Sequence, residues 1–129
     1  MGPQTAGHGG ADLSRLLARD YWLIWSTPAA GADEAAITSL VPEHVAWLLE
    51  LELTDRLFVS GPLLSGPATG PGSGVTVLRA PDEEAARAMA ARDPFVRAGL
   101  RTFAVHRWRL NEGSVSIRVS LGTGSYEWR

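Results

Sequence analysis

The pattern of hydrophobic and polar positions along the chain predicts a strand, a loop and a helix near its start. Residues 21–27 are aromatic and β-branched and Pro28 ends the run, which is typical of a mostly buried strand. Residues 29–36 are small and include two acids, so they predict a loop. Pro42 suits the first residue of a helix that runs to about Thr54. Proline lacks the backbone N–H, but the N–H of a first helical residue has no partner within the helix.

The middle of the chain predicts three more strands and a second helix. Residues 56–60 and 75–79 have strand character, whereas residues 63–74 between them are too rich in glycine and proline for regular structure. Residues 81–84 combine a proline with three acids, which is typical of a helix start. Residues 101–110 alternate between apolar and polar side chains, as a strand does.

The two ends of the chain lie outside this pattern, so the domain between them spans residues 21–110. Residues 1–20 lack the cationic start and apolar run of a signal peptide, which predicts a disordered or partly helical segment in a cytoplasmic protein. Residues 111–129 hold two strand-like runs around Gly122 and Gly124, which predicts a C-terminal β-hairpin extension.

The order of the predicted elements is β-α-β-β-α-β followed by the hairpin, which is the split βαβ pattern of ferredoxin-like folds. We therefore expect an α+β subunit whose two helices cover one face of the sheet. The other face needs a cover, and a second copy of the chain would supply it. The sequence thus predicts a homodimer.

Composition excludes several kinds of chemistry. The 129 residues include no cysteine, so disulfides and thiolate chemistry are excluded, and all 12 cations are arginine, so Schiff-base lysines are excluded as well. A net charge of −2 favours neither nucleic acid nor an anionic membrane as a partner. No two histidines have metal-ligand spacing. We expect a small-molecule ligand, and neither a cofactor nor a metal.

Two polar residues share helix faces with apolar ones. His44 is in register with Leu48 and Leu51, and Asp93 ends a face otherwise made of alanine and methionine. A carboxylate in such surroundings is costly unless it is paired, and a histidine is a natural partner. In a His–Asp pair the carboxylate fixes the tautomer while the imidazole takes a proton. Each residue alone more often has a plainer role, His44 as a surface or capping residue and Asp93 as a helix-breaking residue or the N-cap before Pro94.

Other residues are candidates for a substrate pocket. Tryptophans are usually core residues, but they also line pockets for flat rings, and Ser60 precedes a Gly-Pro break. Three arginines would suit an anionic substrate, although such charges are usually exposed: Arg92, Arg97 and Arg101. The pocket residues that we predict are Trp25, Trp47, Ser60, Gly61 and Pro62.

Several segments taken together resemble the YciI (YCII-related) family. They are Pro42-Glu43-His44 with Leu48 and Leu51, Arg56-Leu57-Phe58-Val59-Ser60-Gly61-Pro62-Leu63, Ala85-Ala86-Arg87, and Asp93-Pro94-Phe95-Val96-Arg97-Ala98-Gly99-Leu100. The resemblance covers about residues 21–110 and implies a dimeric α/β barrel of ferredoxin-like subunits. It also implies an active site with a histidine and an aspartate, which match His44 and Asp93. One member of the family eliminates chloride from a chlorinated hydroxyquinol, and muconolactone isomerase is a relative in fold.

The expected function is that of a small, cofactor-independent lyase or isomerase. His44 would transfer a proton and Asp93 would hold the imidazole, on a small aromatic, quinol-like or lactone-like substrate. Two alternatives stay open. One is a non-catalytic dimer that binds a small ligand or serves as an accessory module, and the other is a cofactor-free monooxygenase.

Overall fold

The computed structural model describes residues 10–67 and 70–128. Their Cα positions form two compact units, one made of residues 20–109 and the other of the two terminal segments together. Residues 1–9, where the sequence predicts disorder, lie outside the described residues.

The larger unit contains a four-stranded sheet and three helices, which are α1 (Glu34–Leu53), α2 (Glu83–Ala91) and α3 (Pro94–Arg97). The strands are β1 (Arg19–Pro28), β2 (Leu57–Pro62), β3 (Gly74–Leu78) and β4 (Arg101–Leu110), in the order β2-β3-β1-β4 across the sheet. β1 and β2 both pair antiparallel to β3. This arrangement confirms the predicted ferredoxin-like α+β fold. Within the described ranges, no helix is both long enough and apolar enough to cross a membrane.

Helix α1 begins at Glu34, much earlier than the sequence suggests. The predicted loop over 29–36 therefore ends three residues early, and the predicted helix start at Pro42 is wrong. The Asp33 carboxylate caps the helix by accepting a hydrogen bond from the Ala35 N–H at 3.1 Å. Pro42 lies inside α1, where it removes one main-chain hydrogen bond but does not end the helix. His44 therefore lies in the middle of α1 and not in its first turn.

Asp93 is not part of the α2 face, because α2 ends at Ala91. It is instead the N-cap of α3, and its side chain accepts a hydrogen bond from the Phe95 N–H at 3.0 Å. Pro94 follows as the first helical residue, a position that tolerates the missing N–H. Asp93 is thus an N-cap, as one interpretation of the sequence predicts. It places the carboxylate at the junction between two helices.

The helices pack on one face of the sheet. The buried centre of this layer consists of Ile24, Leu51, Leu78 and Ala90, with Trp22, Trp47, Leu57, Met89, Phe103 and Val105 packed around it. Side chains alternate between the faces of a strand, so the neighbours of Trp22 and Ile24 on β1 point to the opposite face. On that face Trp25 is 42% exposed, and Val59 of β2 is 46% exposed.

The described ends of the chain form the smaller unit. It contains a 3-10 turn over Leu13–Arg15 and a two-stranded antiparallel sheet of β5 (Ile117–Ser120) and β6 (Ser125–Trp128). The Leu17 N–H donates a hydrogen bond to the Asn111 carbonyl at 3.0 Å, which joins the two terminal segments.

Candidate active site

The larger unit contains a cavity of about 710 Å³ where α1 faces β2, β3 and the loop between these strands. This volume is typical of sites for small molecules. Apolar residues make up most of the wall, among them Ile37, Val41, Val45, Leu48, Leu63 and Phe95. The polar side chains on it belong to Thr38, His44, Ser60, Ser73, Thr76 and Arg101.

His44 and Asp93 meet beside this cavity. His44 Nδ1 lies 2.8 Å from Asp93 Oδ1, and the two side chains are 13% and 4% exposed. A carboxylate can only accept, so Nδ1 donates its hydrogen, and in the neutral ring the lone pair is therefore on Nε2. His44 lines the cavity, whereas Asp93 lies behind the wall. The pair therefore presents an imidazole, and not a carboxylate, to whatever enters.

Asp93 has two further donors besides His44. The Phe95 N–H donates to Oδ1 at 3.0 Å, and Arg101 Nη1 donates to Oδ2 at 3.0 Å. Arg101 is itself buried, and its Nε donates to the Gly72 carbonyl at 2.8 Å. Burial lowers the pKa of Arg101 from its usual value, and the Asp93 charge opposes that change. The buried carboxylate and the buried guanidinium thus compensate each other.

Phe95 packs against both side-chain partners of Asp93, which are His44 and Arg101. Its ring stacks on the His44 ring with centroids 4.4 Å apart, and the Arg101 guanidinium carbon lies 4.8 Å from its centroid. These contacts restrict the orientation of the imidazole and of the guanidinium without using any of their hydrogen-bonding groups. The N-terminus of α3 therefore organises the site twice, through the Asp93 cap and through the Phe95 ring.

The model of the YCII-related domain matches residues 21–109. The chain belongs to the YCII-related family. It is similar in structure to a 5-chloro-2-hydroxyhydroquinone dehydrochlorinase from Burkholderia phenoliruptrix AC1100, solved in complex with 2,5-dihydroxybenzoquinone. The TM-score is 0.57 at 25% sequence identity, over 68% of this chain and 92% of that chain. No curated protein matches the chain.

The YCII-related domain of this chain contains every residue of the site described above. It also contains the predicted pocket residues, of which Ser60, Gly61 and Pro62 lie on the cavity wall. The strand β2 brings them there, since Ser60 pairs with Thr76 and Pro62 with Gly74 on the helix-facing side of the sheet.

The two tryptophans that the sequence assigns to the pocket are not on its wall. Trp25 follows Ile24 on β1 and so points to the opposite face of the sheet. Trp47 touches the His44 ring at 5.7 Å between centroids but lines a smaller cavity of about 180 Å³ on the other side of α1. Two of the three candidate arginines, Arg92 and Arg97, line that smaller cavity as well.

Arg101 and Phe95 complete the site. The sequence offers Arg101 only as one of three arginines that would suit an anionic substrate, and it does not single out Phe95. The strand pattern carried a signal for Arg101, because it shares the alternation phase of Phe103 and Val105, which face the core. A buried arginine in that phase requires a partner, and Asp93 is the partner. Phe95 carried no comparable signal, since its contacts depend on how α3 packs against α1.

His106, the other histidine of the domain, is exposed on β4. Within residues 10–67 and 70–128, no group of three or more histidine, aspartate and glutamate side chains is arranged to hold a metal ion.

Proposed function

We propose that this protein is a small enzyme of the lyase type in which His44 takes a proton from the substrate. The observation that carries the proposal is the hydrogen bond between His44 Nδ1 and the buried Asp93, which leaves Nε2 for the cavity. A general base must reach the proton that it removes, and an imidazole on the cavity wall meets that requirement.

Asp93 prepares His44 for this role in two ways. It holds the tautomer with hydrogen on Nδ1, so that the basic nitrogen is Nε2 of a ring that lines the cavity. It also stabilises the imidazolium that forms when Nε2 has taken a proton. Because Phe95 and Arg101 both donate to Asp93, the carboxylate stays in place while the charge on His44 changes.

The substrate that we propose is a small hydroxylated ring of the quinol type. The similarity to a dehydrochlorinase solved with 2,5-dihydroxybenzoquinone supports this class, as does a largely apolar wall that suits a flat ring. A mainly apolar wall with a few polar residues is typical of sites that orient a ring through a few hydrogen bonds.

Loss of hydrogen chloride from such a ring needs two proton transfers. A hydroxyl proton first moves to the carbon that carries chlorine, and the ring becomes a ketone at that oxygen. A second hydroxyl then gives its proton to His44, its electron pair forms a second carbonyl, and the carbon–chlorine bond breaks with chloride as the leaving group. The products are a hydroxyquinone and hydrogen chloride, so no external oxidant is needed. If no leaving group is present, the first transfer alone is an isomerisation.

We also propose that two copies of the chain pair through the sheet face that carries Trp25 and Val59. The helices pack on the other face, and the exposure of two large apolar side chains supports a partner here. Membership of the YCII-related family, for which the sequence implies a dimeric barrel, points to a second copy as that partner.

An anaerobic assay with 5-chloro-2-hydroxyhydroquinone tests the proposed function. We expect release of one chloride for each quinone formed, followed by chloride titration and by absorbance, at an unchanged rate without oxygen. Turnover only in the presence of oxygen would favour a monooxygenase, and saturable binding without chloride release would favour a non-catalytic module. Either result contradicts the proposal.

A further inference from the structure

Arg101 is the charged residue on the wall of the large cavity. Among the described residues that line this cavity there is no aspartate or glutamate, and the Asp93 carboxylate that balances Arg101 lies behind the wall. A ligand in the cavity therefore meets the donors of a guanidinium but not the acceptors of its counter-ion. Such a wall favours an anionic group at one end of a mainly apolar ligand.

The hydrogen bonds of Arg101 leave one of its nitrogens available. Nε donates to the Gly72 carbonyl and Nη1 donates to Asp93, whereas Nη2 makes no hydrogen bond within residues 10–67 and 70–128. The side chain is 6% exposed, so water does not surround this donor as it surrounds a surface arginine. An unused N–H at a buried cation is a strong site for an oxygen anion.

Gly74 keeps the approach to this nitrogen open. A Cβ at Gly74 would lie 3.7 Å from Arg101 Nη2 and 3.1 Å from the Gly61 carbonyl oxygen. The second distance is shorter than ordinary contacts allow, and the first would place a methyl group directly against the free donor. The absence of a side chain here thus leaves space beside Nη2, at the point where β2 and β3 meet the cavity.

We propose that the cavity binds an organic anion and that Arg101 Nη2 holds its charged oxygen beside His44. This inference rests on the proposed function and names its substrate class: an apolar ring that carries a carboxylate or an ionised enol or phenol oxygen. His44 and Arg101 share the Asp93 carboxylate, so a bound oxygen anion at Nη2 lies close to the imidazole. The negative charge that develops when His44 removes a proton is then stabilised by the same guanidinium.

Isothermal titration calorimetry with 2-naphthoate and 2-naphthamide tests the proposal on the wild-type protein. The two compounds share size and ring but differ in charge. We expect 2-naphthoate to bind at least about tenfold more tightly, equivalent to about 1.4 kcal/mol. Equal affinity, or binding of neither compound, would overturn the proposal.

Two variants locate the effect at Arg101. Arg101→Lys retains a cation for Asp93 but has no group in the place of Nη2. We therefore expect the variant to bind 2-naphthoate no more tightly than 2-naphthamide. Arg97→Lys changes an exposed arginine at the smaller cavity and should behave as the wild type does. An undiminished preference in Arg101→Lys would overturn the proposal, and the wild-type comparison decides it if that variant does not fold.

A third variant separates this inference from the proposed function. His44→Gln removes the base and leaves Arg101 unchanged, so it should retain the preference for 2-naphthoate while chloride release is lost. Preference for the anion without any turnover in the wild type would contradict the lyase function and support the anion site. Turnover combined with equal affinity for the two compounds would support the lyase function and contradict the anion site.

Discussion

His44 and Arg101 bind different oxygens of one buried carboxylate. His44 Nδ1 lies 2.8 Å from Oδ1 of Asp93, and Arg101 Nη1 lies 3.0 Å from Oδ2. One partner comes from the middle of α1 and the other from the first residue of β4, so Asp93 connects a helix and a strand that are distant in sequence. The ionic state and position of a single side chain therefore determine both the base and the guanidinium of the site.

Replacing Asp93 with asparagine should impair both stability and activity. An amide has one acceptor oxygen and one nitrogen that only donates, so it cannot accept from His44 and Arg101 together. We expect the variant to lose roughly 3 kcal/mol or more of unfolding free energy, measured by urea denaturation, because a buried cation loses its counter-ion. Chloride release should fall with it, since the imidazole tautomer is no longer determined.

Asp55→Asn is the matched control for that variant. Asp55 pairs with Arg79 at 3.3 Å, but its side chain is 90% exposed. Exposed pairs contribute less than about 1 kcal/mol, so the control should unfold close to the wild-type urea concentration. Equal stability losses in the two variants would contradict the structural role that we give to Asp93.

Replacing Phe95 with leucine should reduce the rate of chloride release more than replacing Phe58 with leucine does. The substitution keeps an apolar side chain but removes the ring that stacks on His44 and contacts Arg101. The loss of ring contacts should lower the free energy of unfolding by about 1 kcal/mol. The rate of chloride release should also fall, because the imidazole is less well oriented. Phe58→Leu is the control, since Phe58 stacks on Tyr21 instead, at 4.5 Å between centroids. Equal rates in the two variants would contradict an orienting role for Phe95.

Asp20 should make the stability of the protein depend on pH. Its hydrogen bonds to Arg109 and Arg107 hold the pKa of its carboxyl well below the usual value. A lowered pKa in the folded state adds stability above the ordinary aspartate pKa of about 3.9, and this stability disappears as the pH falls from there towards the lowered pKa. The melting temperature of Asp20→Asn should therefore lie below that of the wild type at neutral pH. The difference should shrink under strongly acidic conditions, whereas a difference independent of pH would contradict the ion-pair account.

Trp25→Glu should prevent the dimerisation that we propose for the wild-type chain. The substitution places a charge on the exposed sheet face that we propose as the dimer interface, and burial of an unpaired carboxylate opposes association. Size-exclusion chromatography with light scattering measures the mass directly. Trp128→Glu is the control, because Trp128 is an exposed tryptophan of the terminal hairpin. A wild-type monomer, or a Trp25→Glu dimer, would contradict the proposed interface.

The fold was predictable because its signals are local. Strand alternation, the acidic start of α2 and the Asp93-Pro94 junction each depend on residues within one or two turns. The start of α1 was not predictable in this way, because two competing local signals exist. The Asp33 cap and the proline at position 42 both suit a helix N-terminus, and the packing of the whole helix on the sheet decides between them.

The site was predictable only in part for a related reason. His44 and Asp93 stood out as polar residues on apolar faces, but the role of Arg101 depends on Gly72 and Asp93, which the fold brings to it. Trp25 was assigned to the pocket because aromatic character is visible in a sequence. The face of β1 to which a side chain points depends on where the helices pack, and that side is not encoded in the residue itself.

The most direct test of His44 as the base is the rate of chloride release by His44→Gln. Glutamine occupies a similar volume but cannot take a proton, so we expect the rate to fall about a hundredfold or more while the melting temperature stays close to that of the wild type. His106→Gln, which changes an exposed histidine of β4, should retain the full rate. A His44→Gln variant that is as fast as the wild type and His106→Gln would contradict the account.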